Sequence, residues 1–245
     1  TRMEHTSRGK NLRQLGTQEL DIISLVSPIT RYAVLVDDPA KIKYYLQKAV
    51  HHATSGRPGP VWIDLPLNFQ WADINPDELS GFEPPEQNEV SGQSSIEEQV
   101  GKCLELIAGA KRPVFLAGYG TRLAHAEKEF KRLIETLNVP VVATWNASDL
   151  ISNDHELYMG RFGIAGQRGA NLTVQNCDLL LCVGSHLSIA QTGTMSDAFA
   201  REAKIVMVDI DRTELNYKSA RVDLPVNCDA KVFVNEMLRQ SEGRG

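Results

Sequence analysis

Four apolar runs separated by helical patterns constrain the fold of this chain most strongly. They are "PVFLAG" at 113–118, "VPVVATW" at 139–145, "DLLLCVG" at 178–184 and "KIVMVDID" at 204–211. Runs without polar alternation are typical of parallel strands that are covered on both faces. Helical patterns lie between them, and a further one follows at 230–240. Residues 96–245 are therefore predicted to form an α/β domain with a doubly wound, mostly parallel sheet.

The chain before residue 75 carries much less sheet. A helical pattern at 18–26 precedes the strand-like "YAVLV" from Tyr32, a helix from Pro39 to about Thr54 and the strand "GPVWIDLP". This amounts to about one and a half βα units, so residues 1–74 are predicted to be a partial α/β segment. Residues 75–95 are polar and contain proline, which is typical of a linker.

Composition indicates a globular chain and argues against two classes of partner. The 245 residues are 42% hydrophobic and carry a formal net charge of −5. No Lys/Arg-rich run provides a basic surface, so no nucleic-acid partner is expected. No apolar segment approaches the roughly 20 residues that span a bilayer, and no signal peptide is evident, so a cytoplasmic location without membrane contact is predicted. The four cysteines form no CxxC pair and are predicted to be unpaired structural thiols.

Glycines and acids follow the predicted strands, where ligands bind in open parallel sheets. The first strand leads into Gly118-Tyr119-Gly120, whose glycines allow a tight turn and bring backbone N–H groups close to an anion. The turn can equally serve only to join strand and helix, because the third glycine of the dinucleotide fingerprint is absent. The four-glycine stretch at 160–171 is predicted to be a tightly folded loop rather than a regular element. Such a loop either wraps a cofactor or packs against a neighbouring domain.

The fourth strand ends in Asp209-Ile210-Asp211, followed by Glu214. Carboxylates at a strand end accept hydrogen bonds from ribose hydroxyls or cap the next helix. The cap is favoured for Asp211, whereas the two roles are evenly balanced for Asp209.

No catalytic or metal-binding constellation is evident in the sequence. His and Cys lack metal-ligand spacing, and there is no GxSxG elbow. His51 and His52 are predicted to be solvated on a helix whose apolar face lies elsewhere. His186 is the titratable group of the loop "GSHLSIAQTG" at 184–193, and a lone histidine is more often a packing residue than a catalyst.

Several segments resemble thiamine-diphosphate enzymes of the acetolactate synthase, benzoylformate decarboxylase and oxalyl-CoA decarboxylase kind. "SGRPGPVWIDLPLNFQ" at 55–70 resembles the junction that closes their pyrimidine-binding domain, and "QELD" at 18–21 followed by "PITR" at 28–31 resembles the acetolactate synthase pattern upstream of it. "VMVDIDRTELNYK" and "VNCDAKVFV" are similar to segments of the central domain. The resemblance implies that residues 1–74 are the C-terminal part of a pyrimidine-binding-type domain and that 96–245 are the central, nucleotide-binding-like domain.

The resemblance also implies a parent activity that this chain does not carry by itself. Family members decarboxylate 2-keto acids and pass on the remaining carbon unit, by lyase or transferase chemistry, with thiamine diphosphate and magnesium as cofactors. Their Gly-Asp-Gly motif is absent from these 245 residues, as is the early part of the first domain with its activating glutamate. The chain is therefore expected to be a catalytically incomplete fragment, with no catalytic and no metal-binding residues, whose partners are the missing domains of a homo-oligomeric parent.

In this family the central domain holds FAD, ADP or coenzyme A, or nothing. The residues that match this site are Gly118, Tyr119, Gly120, Thr144, Trp145, Asn146, Gly163, Gly166, Gly184, Ser185, His186, Asp209, Asp211 and Asp229. Two loop arginines of the family are replaced by His186 and Ala190, which do not reproduce an arginine–phosphate contact. FAD or ADP is therefore as plausible as an empty pocket, and the backbone at Gly184 and Ser185 together with His186 has to hold any nucleotide.

Two alternatives stay open. Instead of being a fragment of such an enzyme, the chain is in the first alternative a stand-alone nucleotide-binding module that uses the glycine turn and Asp209, and in the second a structural spacer with a vestigial pocket. A flavin spectrum, or a melting shift with FAD, ADP or coenzyme A, would favour the module. The absence of any shift would favour the spacer.

Overall fold

The computed structural model describes residues 1–7, 9–85, 94–216 and 220–242. The chain divides into two compact units, Thr1–Glu89 and Val90–Gly245. In the described parts of the chain, no helix combines the length and the apolar character needed to cross a lipid bilayer.

The first unit is built around two short parallel strands. β1 (Tyr32–Leu35) pairs with β2 (Val61–Asp64), α1 (Ile22–Val26) precedes them, and α2 (Ile42–Thr54) connects them. The 3-10 turn Pro39–Lys41 leads into α2, because proline is preorganised for a first helical turn. Gly56 follows α2 with φ +58°, a left-handed conformation that glycine adopts without strain and that ends the helix.

The second unit contains a parallel sheet whose described strands lie in the order β5-β4-β3-β6-β7-β8. These strands are β3 (Pro113–Ala117), β4 (Val141–Ala143), β5 (Tyr158–Arg161), β6 (Leu179–Val183), β7 (Lys204–Asp209) and β8 (Leu224–Asn227). The chain winds outward from β3 to β5, returns to the other side of β3, and winds outward again to β8. Strand order therefore reverses between β3 and β6, which is where ligands bind in such sheets.

Helices cover both faces of this sheet. α3 (Ile96–Gly109), α5 (Glu127–Leu137) and α9 (Ala230–Glu242) pack on one face, and α6 (Arg168–Asn176) and α8 (Arg212–Asn216) pack on the other. Two short helices, α4 (Gly120–Leu123) and α7 (Ile189–Thr192), follow β3 and β6. Alternate residues of each strand face opposite sides, so Phe115 joins the first core and Leu116 the second. Burial on both faces explains the uninterrupted apolar runs. The predicted doubly wound α/β fold is confirmed.

The sequence analysis does not predict the strands β5 and β8, and the glycine-rich loop that it predicts at 160–171 is longer than the observed one. Gly160 and Arg161 belong to β5 and α6 begins at Arg168, so the prediction that 160–171 contains no regular element is wrong at both ends. β5 and β8 are the edge strands of the sheet. The glycine in β5 and Pro225 in β8 are residues that edge positions tolerate but that give little strand signal.

The four cysteines are free, and Cys103, Cys177 and Cys182 are buried, as predicted. Burial raises the pKa of the Cys103 thiol to about 12 and that of Cys177 to about 11. A thiol with a pKa in this range is protonated at neutral pH and is a poor nucleophile.

Candidate functional site

The turns after β3 and β6 touch each other where strand order reverses. A Cβ on Gly118 would lie 2.1 Å from the Gly184 carbonyl oxygen, and one on Gly120 would lie 2.7 Å from Gly184 Cα. Gly184 has φ +61°, and its own Cβ would lie 2.6 Å from the backbone nitrogen of Thr121. Any side chain at these positions would overlap backbone atoms, so all three have to be glycine.

Most backbone donors at this contact are used inside the protein. The N–H of Gly118 donates to Val183 O at 2.9 Å, that of Gly120 to Gly184 O at 2.9 Å, and that of Gly184 to Val208 O at 3.0 Å. The prediction that Gly184 presents its N–H to an anion is therefore wrong, because this group continues the hydrogen bonding of the sheet. The N–H groups of Tyr119 and Ser185 donate no hydrogen bond within the described residues, so these two are the donors available to a ligand.

Ser185 and His186 are held by different neighbours. The Ser185 side chain is buried, its Oγ lies 3.4 Å from Gln191 Oε1, and it accepts from the Leu187 N–H at 3.5 Å. His186 is half-exposed, and its Nδ1 lies 2.7 Å from Glu214 Oε2. The sequence singles out His186 and Glu214 separately, and the structure pairs them. A ligand that bonds to Glu214 therefore competes with His186.

Two exposed aromatic rings follow the adjacent strands β3 and β4. Thr144 continues β4 by donating its N–H to Ala117 O at 3.0 Å, and its Oγ1 donates to Asn146 Oδ1 at 2.7 Å. This bond shapes the short turn Trp145–Ala147. The Trp145 side chain is 57% exposed and that of Tyr119 is 40% exposed. Exposed aromatic rings at a strand end offer apolar surface to a planar ligand.

The remaining glycines of the predicted site shape the loop between β5 and α6. Gly163 has φ +116°, its N–H donates to Asn171 Oδ1 at 2.9 Å, and its carbonyl accepts from Asn171 Nδ2 at 3.1 Å. A Cβ on Gly166 would lie 2.6 Å from Arg161 O. Ile164 donates its N–H to Ala190 O at 2.9 Å, which joins this loop to the segment after β6.

The three aspartates of the predicted site bind local backbone. Asp209 accepts from the N–H of Asp211 at 2.9 Å. Asp211 accepts from the Thr213 N–H at 2.9 Å, at the start of α8, and Asp229 accepts from the Lys231 N–H at 2.8 Å, at the start of α9. Asp211 and Asp229 therefore act as helix caps, and Asp209 orders the turn after β7.

Sequence reasoning missed two supporting residues. Arg122 follows the glycine turn and pairs with Asp149 at 2.8 Å and with Glu127 at 3.3 Å. Asn171 clamps Gly163 through both ends of its amide. Neither residue belongs to a recognisable sequence motif, because the role of each depends on a partner that only the folded chain brings close. Over the described ranges, no group of three or more His, Cys, Asp or Glu side chains is placed to hold a metal ion.

Comparison with known proteins identifies the second unit. Residues 100–237 match the family model of the thiamine pyrophosphate enzyme central domain. The chain is 35% identical over 231 residues to a probable acetolactate synthase large subunit of Methanococcus aeolicus. The aligned region covers 91% of this chain and 37% of the relative. The chain is also 34% identical over 235 residues to the acetolactate synthase large subunit of Corynebacterium glutamicum. This alignment covers 93% of this chain and 36% of the relative.

The similarity extends through both units, and the chain spans little more than a third of the length of these relatives. The family model, the parallel sheet of the second unit and the relatives agree with one another. The chain therefore belongs to the acetolactate synthase-like, thiamine pyrophosphate-dependent enzyme family and contains its central domain.

Proposed function

We propose that the protein to which this chain belongs decarboxylates a 2-keto acid and transfers the remaining carbon unit to a second carbonyl, as an acetolactate synthase. The observation that carries this proposal is the similarity to acetolactate synthase large subunits over 91% of the chain rather than over the central domain alone. A stand-alone module is less well supported, because its first unit would have no reason to resemble the same relatives.

The catalytic residues are proposed to lie outside this chain. Thiamine pyrophosphate, with magnesium beside it, would supply carbanion-stabilising chemistry in the parent protein. The residues described here do not fit that pair, because they offer no cluster of metal ligands and the sequence has no Gly-Asp-Gly segment. The role proposed for this chain is to supply the central domain and part of a pyrimidine-binding-type domain.

The proposal that the catalytic residues lie outside this chain is tested with the 245-residue chain alone. Calorimetric titration with thiamine pyrophosphate and Mg²⁺ is expected to show no binding, and added pyruvate is expected to remain unconsumed. Turnover of pyruvate by the isolated chain would contradict the proposed incompleteness, while leaving the family assignment intact.

A second proposed role is binding of FAD or ADP by the central domain. The support is the contact between the β3 and β6 turns, which lies where strand order reverses. The N–H groups of Tyr119 and Ser185 would face the diphosphate, Trp145 would lie beside a planar ring, and Asp209 would accept from a ribose hydroxyl. His186 takes the place of a loop arginine of the family, and its pairing with Glu214 leaves less positive charge there. Weaker binding than with that arginine is therefore expected.

A ligand panel of FAD, ADP and coenzyme A tests this role by thermal shift. Binding raises the melting temperature, and Trp145→Ala is expected to reduce the shift by removing ring contact. Trp71→Ala is the matched control, because Trp71 is an exposed tryptophan of the first unit. No shift with any ligand would leave the structural spacer as the role of the central domain.

A further inference from the structure

The Ser185 N–H is one of the two donors that the turns after β3 and β6 leave available to a ligand. We propose that Gln191 is a positioning residue for this donor, because its side-chain oxygen holds the backbone from Ser185 to Ser188 in one conformation. This inference rests on the proposed binding of FAD or ADP, since it assigns to the Ser185 N–H a contact with the diphosphate.

One side-chain oxygen of Gln191 contacts two other residues of the loop. Gln191 Oε1 accepts from the Ser188 N–H at 3.1 Å and lies 3.4 Å from Ser185 Oγ. The Ser188 side chain accepts in turn from the backbone N–H of Gln191, which completes a capping box at the start of α7. Contacts of a single side chain therefore close residues 185–191 on themselves.

Gln191 is itself restrained by the loop after β5. The Ile164 N–H donates to Ala190 O at 2.9 Å. A Cβ on Gly163 would lie 3.2 Å from Ala190 O and 3.7 Å from Gln191 Cα, so glycine allows this close approach. The Gln191 oxygen is therefore held between two loops.

The backbone that Gln191 holds is strained at Leu187. This residue has φ +48°, a left-handed conformation that side chains other than glycine, asparagine and aspartate rarely adopt. Its side chain is buried in the core that α6 and α8 cover, and its N–H donates to Ser185 Oγ at 3.5 Å. Strain of this kind persists only where surrounding contacts enforce it. The contacts that do so here are the buried Leu187 side chain and the bonds that link Ser185, Ser188 and Gln191.

Removal of the Gln191 oxygen is therefore expected to let this backbone relax. The Ser188 N–H and the Ser185 hydroxyl would lose a partner, and nothing among their described contacts would replace it. A hydrogen bond to a phosphate oxygen depends on the direction of its donor, so a Ser185 N–H on a relaxed backbone would contribute less. The neighbouring side chain adds little positive charge, since His186 pairs with Glu214. A diphosphate would therefore depend on the backbone donors.

Calorimetric titration of the 245-residue chain with ADP and with adenosine tests this role. Gln191→Met keeps the length of the side chain and removes its oxygen. We expect ADP affinity to fall about tenfold and adenosine affinity to stay unchanged, because adenosine has no diphosphate for the Ser185 N–H to contact. Gln175→Met, at an exposed glutamine of α6, is the matched control and is expected to keep both affinities.

The Ser185 amide signal in NMR provides a second readout. ADP is expected to shift this signal downfield in the natural sequence, whereas adenosine is expected to leave it in place. The shift with ADP is expected to shrink in Gln191→Met and to persist in Gln175→Met.

Two results would overturn the proposal. They are equal ADP affinity of Gln191→Met and the natural sequence, and a parallel loss of ADP and adenosine affinity, which would indicate a role in folding alone. If Gln191→Met does not fold, Ser185→Ala removes the same contact from the other side and keeps the N–H. It is expected to lower ADP affinity selectively, and unchanged ADP affinity would overturn the proposal as well.

Failure of the natural sequence to bind either ligand would contradict the nucleotide role itself. The hold of Gln191 on the loop is then decided by amide exchange at Leu187, whose acceptor Ser185 Oγ is still present in Gln191→Met. Faster exchange at Leu187 in this variant is the expected result. Equal exchange in the variant and the natural sequence would overturn the hold as well.

Discussion

At the scale of single residues, glycine determines how closely the turns after β3 and β6 approach each other. The sequence predicts a tight turn at Gly118 and Gly120 from their spacing alone. It does not predict that both lie against Gly184, because that contact joins distant segments through the pairing of β3 with β6. The sequence therefore predicts the local turn. It does not predict that the Gly184 N–H donates a hydrogen bond within the sheet instead of facing a ligand.

Gly118→Ala is expected to destabilise the second unit by about 1–3 kcal/mol, because the new methyl group would overlap the Gly184 carbonyl and force the backbone to move. Gly109→Ala is the matched control, since nothing lies within 4 Å of a Cβ at Gly109, the last residue of α3. The free energy of unfolding of each variant is measured by denaturant titration. Equal stability of the two variants would show that the turns do not touch.

Glu19 organises the N-terminal segment of the first unit. Its carboxylate accepts from the Leu15 N–H at 2.7 Å, from the Gly16 N–H at 3.3 Å, and from both the N–H and the hydroxyl of Ser7. These bonds, with that of Leu15 the largest, lower the pKa of Glu19 from 4.5 to about 2. A lowered carboxyl pKa means that the stabilisation is fully present above pH 4.5 and is lost as pH falls towards about 2.

Glu19→Gln is expected to raise amide exchange at Leu15 and Gly16 at neutral pH, because the neutral amide is a weaker acceptor than the carboxylate. Glu105→Gln, on the exposed surface of α3, is the control and is expected to leave these amides unchanged. A Glu19 carboxyl carbon that titrates in NMR near pH 4.5 would contradict the bonding described.

At the scale of elements, the strands that were predicted are the central ones. β6 is buried along its whole length and reads as an apolar run, whereas the edge strands β5 and β8 are only partly buried. Edge strands need fewer apolar residues, so their sequences resemble loops. The loop after β5 was recognised by its glycines, but its clamp by Asn171 was not, because that residue lies within α6.

Asn171→Asp is expected to weaken this clamp, because a carboxylate can accept from the Gly163 N–H but cannot donate to its carbonyl. A loss of about 1 kcal/mol in unfolding free energy is expected. Asn153→Asp, an exposed position with the same change of charge, provides the control. Equal stability of the two variants would mean that the Asn171 amide does not hold the loop.

At the scale of the whole molecule, the two units differ in the core that they bury. The hydrophobic side chains buried in the described part of the first unit are Val26, Val36 and Ala49, whereas the second unit has a core on each face of its sheet. Two strands with little core are only marginally stable. This difference is consistent with the proposal that the first unit is part of a larger domain in the parent enzyme.

Hydrogen exchange of the 245-residue chain is expected to separate the units. Amides of β1 and β2 are expected to exchange on the order of a hundredfold faster than those of β6, because little burial opposes local opening of the first unit. Equal protection of β1 and β6 would show that the first unit is stable without further chain.

The central claim is that this chain supplies the central domain of an acetolactate synthase. It is tested most directly by assaying the full-length protein that contains these 245 residues with pyruvate, thiamine pyrophosphate and Mg²⁺. Formation of acetolactate and carbon dioxide, dependent on both added cofactors, is the predicted result. Failure of the folded full-length protein to consume pyruvate or any other 2-keto acid under these conditions would contradict the proposed activity.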